Sequence, residues 1–266
     1  EREADMTTNK RVLVAVSAHA DDAEINAGGT LAKWVAAGGS VHIVMATNNC
    51  SGALIPDNGD ESAKRRLGPL ETSRIRHREQ EAAAALLGAQ VHHLGYFQRH
   101  YWNGQAEVSI GYGVGAVPDG LPVSLPILIA CNERAHIERL GATIADLQPD
   151  LVLTQTPCDR DPEHHAVAAM VWEAFRGRPD LRRVPLRFWT ASTASPGGLL
   201  DPQHDHIEDI SGFYARKLEL CACHRSQMTA RRNEIVARRA AYWGARLGVA
   251  HAEPFRTAHW DEMLAD

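Results

Sequence analysis

The sequence predicts an α/β fold: a Rossmann-like three-layer sandwich in which helices cover both faces of a mostly parallel sheet. Three observations carry that expectation. Short β-branched runs of strand length alternate with segments of helical periodicity along most of the chain. Glycines close the helical segments where strand signals are about to begin. A length of 266 residues with 44% apolar side chains suits a single domain, residues 1–266, with a sizeable core.

In chain order, RVLVAV (11–16) and VHIVMA (41–46) read as strands, and GGTLAKWVAAGG between them as a helix stopped by Gly38 and Gly39. Strand, helix and strand in so short a span make a right-handed parallel βαβ unit. Residues 50–72 form a long polar loop. SRIRHREQEAAAALLG (73–88) follows as a helix ending on Gly88, and QVHHL (90–94) as a third strand. The stretch 97–133 is rich in Gly, Pro and aromatics and is expected to be an inserted loop near the site. A helix at 136–147, a strand at 150–156, a helix at 164–175 and a strand at 186–192 come next, with a mainly helical region over 209–247. Gly28 and Gly29 are expected to let the first helix pack closely on the sheet.

Composition excludes several classes of function. A formal net charge of -5 gives no basic face for nucleic acid, and Arg231-Arg232 with Arg238-Arg239 read as the solvated face of a helix. No apolar run approaches the ~20 residues needed to span a bilayer. EREADMTTNK has no apolar signal core, and Met6 reads as the natural start with residues 1–5 added before it. Five cysteines without CxxC spacing are expected to be free thiols in a reducing cytoplasm, Cys221 and Cys223 being too close for an easy disulfide. The sequence leaves oligomeric state open, a homo-oligomer included.

The chemistry concentrates in two stretches. SAHADDAE (17–24) follows the first strand and crowds His19, Asp21, Asp22 and Glu24 into one turn. Such a set repels and desolvates itself unless a cation uses its charge. In open α/β sheets, ligands sit beyond the carboxyl ends of strands, which is where this turn falls. His19 and Asp22, three apart, are two candidate metal ligands, and a catalytic zinc takes three with a position left open. TPCDRDPEHHA follows another strand and offers Asp159, Asp161, Glu163, His164 and His165 as sources of the third. A nucleotide-binding enzyme is disfavoured, because no GxGxxG turn follows the first strand and the acidic turn would repel phosphate.

AHADDAEINAGGTLA resembles the AHPDDxE…GGT signature of the PIG-L/LmbE-like family of zinc-dependent de-N-acetylases. DRDPEHHAVA is similar to that family's HPDHxxA motif, IRHREQEAAAALLG to its RxxE…LG helix, and DIS (209–211), Lys217 and HRSQ (224–227) to its C-terminal pattern. The resemblance implies His19, Asp22 and His164 as metal ligands, Asp21 as general base, and Arg76 as a substrate contact. Zinc is the implied metal, though two His and a carboxylate also suit ferrous iron. Glu24 is expected to support the ligand turn from outside.

The implied activity removes an N-acyl group, most simply acetyl, from an amino sugar or from a glycosylated small molecule such as a natural-product intermediate. Three departures bear on it. Ala20 stands for the proline of AHPDD, a mild change, while Asp161 stands for the first His of HPDH and Glu163 for its Asp. An ionised Asp161 cannot donate to an oxyanion. Either it is held protonated or His165, His206 or His224 takes over, His165 and His206 being expected at the substrate and His224 in catalysis. A homologue that binds metal and sugar without turnover, and an amidase acting on a non-sugar amide, stand as alternatives.

Overall fold

In the computed structural model, residues 10–52, 65–113, 116–122, 124–189 and 204–259 are described. The central sheet has seven strands. In chain order these are β1 (Val12–Ser17), β2 (Ser40–Thr47), β3 (Gln90–Tyr96), β6 (Leu151–Thr154), β7 (Leu186–Trp189), β8 (His206–Asp209) and β9 (Ala252–Thr257). Their order across the sheet is β3-β2-β1-β6-β7-β9-β8. The first five run parallel, and β9 and β8 close one edge antiparallel.

The helices are α1 (Asp22–Ala36), α2 (Pro69–Leu87), α3 (Ile127–Ala130), α4 (Arg134–Asp146), α5 (Pro162–Gly177), α6 (Tyr214–Ala222) and α7 (Ala230–Leu247). Strand β1 shows how sequence becomes layers. Leu13 and Ala15 point to the core shared with Leu31 of α1 and Leu220 of α6, whereas Val14 and Val16 point to the core shared with Val167 and Val171 of α5. A strand covered on both faces must be apolar at every position, so VLVAV shows no alternation.

The predicted α/β architecture is the observed one, with three corrections to its elements. The 97–133 region is more than a loop: it carries the antiparallel pair β4 (His100–Trp102) and β5 (Glu107–Ser109), and then α3. Helix α2 begins four residues earlier than expected, with Pro69 in its first turn, where a missing N–H costs nothing. Of the predicted 50–72 loop, 53–64 lie outside the described residues, as do 190–192 of the last predicted strand. Strands β8 and β9 went unpredicted because HIED is polar and part-exposed and AEPFRT contains Pro254, which demotes a strand signal.

The two glycines let α1 approach α6 and the residues before it, while Gly29 N also ties α1 to β9 of the sheet. A Cβ on Gly28 would lie 3.2 Å from Lys217 of α6, and one on Gly29 would lie 2.6 Å from Ile210, just before α6. The approach is sealed by a buried charge. Glu253 of β9 accepts from Gly29 N (3.0 Å), from Thr30 N and Oγ1 (2.8 and 2.6 Å), and from Lys217 Nζ (2.5 Å). Gly29→Ala is therefore expected to destabilise the protein by roughly 1–3 kcal/mol through overpacking. That outweighs the ~1 kcal/mol an alanine gains in a helix. Urea unfolding of this variant gives the check, and equal or higher stability would contradict the packing described.

Candidate metal centre and its cleft

Between β1 and β6 the strand order reverses, leaving a crevice beyond their carboxyl ends. The turn leaving β1 is clamped from several sides. Thr47 Oγ1 donates to Ala18 O (2.7 Å), Ala20 N to Asn49 Oδ1 (2.8 Å), and Arg76 Nη2 to Ala20 O (2.7 Å). Asp21, the residue before α1, sits at φ 102° in the left-handed region, which side chains other than glycine rarely adopt. The clamps hold that strain and aim the following carboxylates into the crevice.

His19 and Asp22 from this turn meet His164 from the first turn of α5. Ligand atoms of all three lie within 4.8 Å of one another, and all three side chains are buried. His19 Nδ1 is 3.1 Å from His164 Nε2, and Asp22 Oδ1 is 3.2 Å from the same nitrogen. The outward nitrogens are tied back: His164 Nδ1 to Asp159 Oδ2 at 2.9 Å, His19 Nε2 to Glu163 Oε2 at 2.5 Å. Asp22 Oδ2 accepts from His19 N (2.7 Å) and from Gln155 Nε2 (3.2 Å). Among the described residues this is the one group of His, Cys and acidic side chains so arranged.

Electrostatics in this cluster are opposed forces with a clear winner. Burial works against the Asp22 charge, but His164 and His19 outweigh it and hold the carboxyl well below its usual range. Burial likewise opposes ionised Glu163, yet His19 and the Arg99 main chain pull it down to about 2. Two imidazoles and a carboxylate, converging and each oriented by a further hydrogen bond, fit a divalent cation of the zinc or iron type. Because Asp159 fixes the His164 ring, Asp159→Ala is expected to weaken zinc binding about 10–100-fold, read by competition with a chelator. Unchanged affinity would mean that the ring is held by other contacts.

The cleft over this cluster has a volume of about 260 Å³. Asp21 faces into it, with Oδ1 3.6 Å from Arg76 Nη2 and Oδ2 3.4 Å from Arg232 Nη1. Arg76 lines the wall as expected, but each terminal nitrogen already donates to a main-chain oxygen, Ser51 O (3.0 Å) and Ala20 O, and only 4% of the residue is exposed. Glu79 bonds Ser226 N and Oγ, so the RxxE helix and the HRSQ turn meet through that carboxylate.

Asp161 lines the cleft, where its Oδ1 caps α5 by accepting from Glu163 N (2.9 Å) and pairs with Arg99 Nη1 (2.8 Å). The other expected site residues lie elsewhere. His165, the next residue after the buried His164, is exposed and does not line the cleft. His206 lies on edge strand β8, paired with Glu208 at 2.9 Å, and is absent from the cleft wall. His224 is fully buried, 3.3 Å from Glu24 Oε2, in a structural pair that Gln80 completes with a 2.7 Å bond to Glu24 Oε1. Glu24 thus joins α1 to α2 and to the turn after α6.

The buried Glu24–His224 pair makes stability depend on pH. Burial opposes both charges. His224 and Gln80 nevertheless hold Glu24 below its ordinary 4.5, so that its contribution is lost as pH falls. Glu24 holds His224 above its ordinary 6.5, so that its contribution is lost as pH rises through the folded value. The melting-temperature gap between the natural protein and the double variant Glu24→Gln, His224→Gln should be widest between about pH 4.5 and 6.5. A gap independent of pH would contradict the pairing.

Gln98, Arg99, His100 and Arg232 line the cleft, and sequence reasoning missed the last three. The first three follow β3 at its carboxyl end, the signal that could have found them. Arg232 and Arg239 turn inward to Asp21 and Asn26, whereas Arg231 and Arg238 are solvated as expected. All five cysteines are free, and no helix of the described residues is long and apolar enough to cross a membrane.

Residues 14–175, more than half of the chain, match the family described as PIG-L: GlcNAc-PI de-N-acetylase. The 1D-myo-inositol 2-acetamido-2-deoxy-alpha-D-glucopyranoside deacetylase of Mycolicibacterium vanbaalenii is 29% identical over 195 residues, a match covering 69% of this chain and 60% of that protein. The chain thus spans less than two thirds of that relative's length. A protein of the same name from Saccharomonospora viridis is 29% identical over 254 residues, covering 82% of this chain and 85% of its own. Among solved structures, the N,N'-diacetylchitobiose deacetylase of Pyrococcus horikoshii superposes with a TM-score of 0.66 at 22% identity, over 94% of this chain and 85% of that one. At that identity the likeness speaks for the fold.

Proposed function

The chain belongs to the PIG-L family, and from that premise we propose that it is a zinc-dependent hydrolase removing an N-acetyl group from an amino sugar or a glycosylated small molecule. The observation that carries this reading is Asp21, which faces the cleft beside the convergent His19, Asp22 and His164. Those three would hold the ion. Bound there, zinc supplies Lewis acidity, bringing the pKa of a water toward ~7 and polarising the acyl carbonyl.

The remaining chemistry belongs to the chain. Asp21 takes the water's proton as its oxygen adds to the acyl carbon. When the carbon–nitrogen bond breaks, the same proton passes from Asp21 to the nitrogen, leaving a free amine and acetic acid, which then ionises to acetate. Asp161 Oδ1 is engaged as an acceptor by Glu163 N and Arg99 Nη1. Arg76 holds the turn that carries Asp21, and its own contact to the sugar would use whatever N–H remains free.

Breadth of the acceptor is supported by a recess that continues from the cleft past Ser51 and His100 to Arg66 and Trp102. Arg66 stacks 5.2 Å from the Trp102 ring centre, an aromatic and cationic rim suited to a sugar or aglycone. Free thiols at every cysteine fit a reducing cytoplasm. The second reading, a homologue that binds metal and sugar without turnover, rests on Asp161. Amine release decides between them: zinc-loaded protein is offered N-acetylglucosaminyl-inositol, N,N'-diacetylchitobiose and an N-acetylglucosaminyl phenol glycoside. Amine that appears from one of them and disappears in His19→Ala supports the hydrolase. No amine from any would favour the binding-only reading.

A further inference from the structure

Resting on the hydrolase reading, we propose that Arg99 is the cation that stabilises the oxyanion as water adds to the acyl carbon. Amide hydrolysis builds negative charge on the carbonyl oxygen, and a preorganised donor aimed at that oxygen is among the larger contributions to such catalysis. Three arginines line the cleft among the described residues: Arg76, Arg99 and Arg232. Arg76 has both terminal nitrogens committed to main-chain carbonyls and a side chain only 5% exposed. Arg232 Nη1 is shared between Gln227 O (3.0 Å) and Asp21 (3.4 Å), on the side of the proton acceptor.

Arg99 differs in how it is held. Its main-chain N–H donates to Glu163 Oε1 and its Nη1 donates to Asp161 Oδ1 at 2.8 Å. Asp161 and Glu163 flank Pro162 at the start of α5, and His164 follows directly. The guanidinium is therefore fastened to the segment that delivers a metal ligand, and its side chain remains 32% exposed. One of five N–H groups is used on Asp161, and the others are available to an oxygen in the cleft. Asp161, a poor oxyanion partner by itself, acquires a role as the anchor of the group that is a good one. Arginine does not titrate in this range, so the arrangement supplies charge without a proton, in keeping with Asp21 returning the proton to the amine.

The test uses the zinc-loaded full chain with Arg99→Ala and Arg99→Lys, zinc content being measured for each. Methylphosphonate, a tetrahedral anion, serves as the probe, alongside amine release from any substrate the natural protein turns over. Arg99→Ala is expected to keep its zinc and to bind methylphosphonate about ten- to hundred-fold more weakly. Its kcat should fall on the order of 10²–10³-fold with KM little changed, and Arg99→Lys should recover part of both losses. Unchanged methylphosphonate affinity in Arg99→Ala overturns the proposal, as does a natural protein that binds none. Loss of zinc in Arg99→Ala also overturns it, since Arg99 would then act through Glu163 on the ligands. If the natural protein releases no amine, the hydrolase reading falls while the methylphosphonate comparison still decides the role of Arg99.

Discussion

Asp21→Asn is expected to lower the rate of amine release on the order of 10²–10⁴-fold while leaving zinc content and melting temperature close to those of the natural protein. The prediction separates chemistry from scaffolding because asparagine keeps the size of the side chain and suits the backbone. Asp21 holds a left-handed backbone with φ 102°, which asparagine tolerates better than alanine or any branched residue. Its one carbonyl oxygen can replace one of the two carboxylate oxygens, which lie 3.6 Å from Arg76 and 3.4 Å from Arg232. What asparagine cannot do is take a proton from water. Retained activity would put the base elsewhere, and loss of zinc would place Asp21 among the ligands. Asp21→Ala is the poorer experiment, since it adds backbone strain, and takes a carboxylate away from two arginines, beside the loss of the base.

Lys217→Met is expected to cost roughly 3–5 kcal/mol of stability, the range for breaking a buried ion pair by removing one partner. Lys217 and Glu253 side chains are 3% and 2% exposed and 2.5 Å apart, so the carboxylate left behind has no route to water. Three donors from Gly29 and Thr30 remain on it, which is why the lower end of the range is the better expectation. Lys217→Met combined with Glu253→Gln should recover much of the loss, because the second change removes the stranded charge. Urea unfolding of the two variants reads both numbers. A single variant within about 0.5 kcal/mol of the natural protein would show that the pair contributes little.

The fold was legible because strand-length apolar runs, helical periodicity and glycine stops agreed along the chain, and because two-sided burial leaves strands such as VLVAV unmistakable. His19, Asp22 and His164 were legible for a different reason: each lies just beyond a readable strand, and parallel topology brings such ends together. Histidines without that context were not. A His in HRSQ, in HDH or beside a ligand carries no record of which way it points, so His224 went into the core, His206 to the sheet edge and His165 to solvent. Arg99 and Arg232 were missed because their partners, Asp161 and Asp21, are brought near by folding and leave no mark in local spacing. Strand β9 was missed because Pro254 argued against it; Pro254 is opposite Ile207 of β8 and lies outside the register that pairs Phe255–Thr257 with β7.

Glu163 has a consequence for how such a protein diversifies. One carboxylate grips His19 Nε2, Gln98 Nε2 and the Arg99 main chain, so the insertion after β3 and the metal centre share a fastening. The insertion is therefore no interchangeable cassette. Swapping residues 97–133 for a relative's version, to alter which acceptor is welcomed at the rim, would loosen the ring that binds the ion unless position 163 changed with it. A chimaera joined between the two sides of that carboxylate is expected to hold the ion less tightly than either parent.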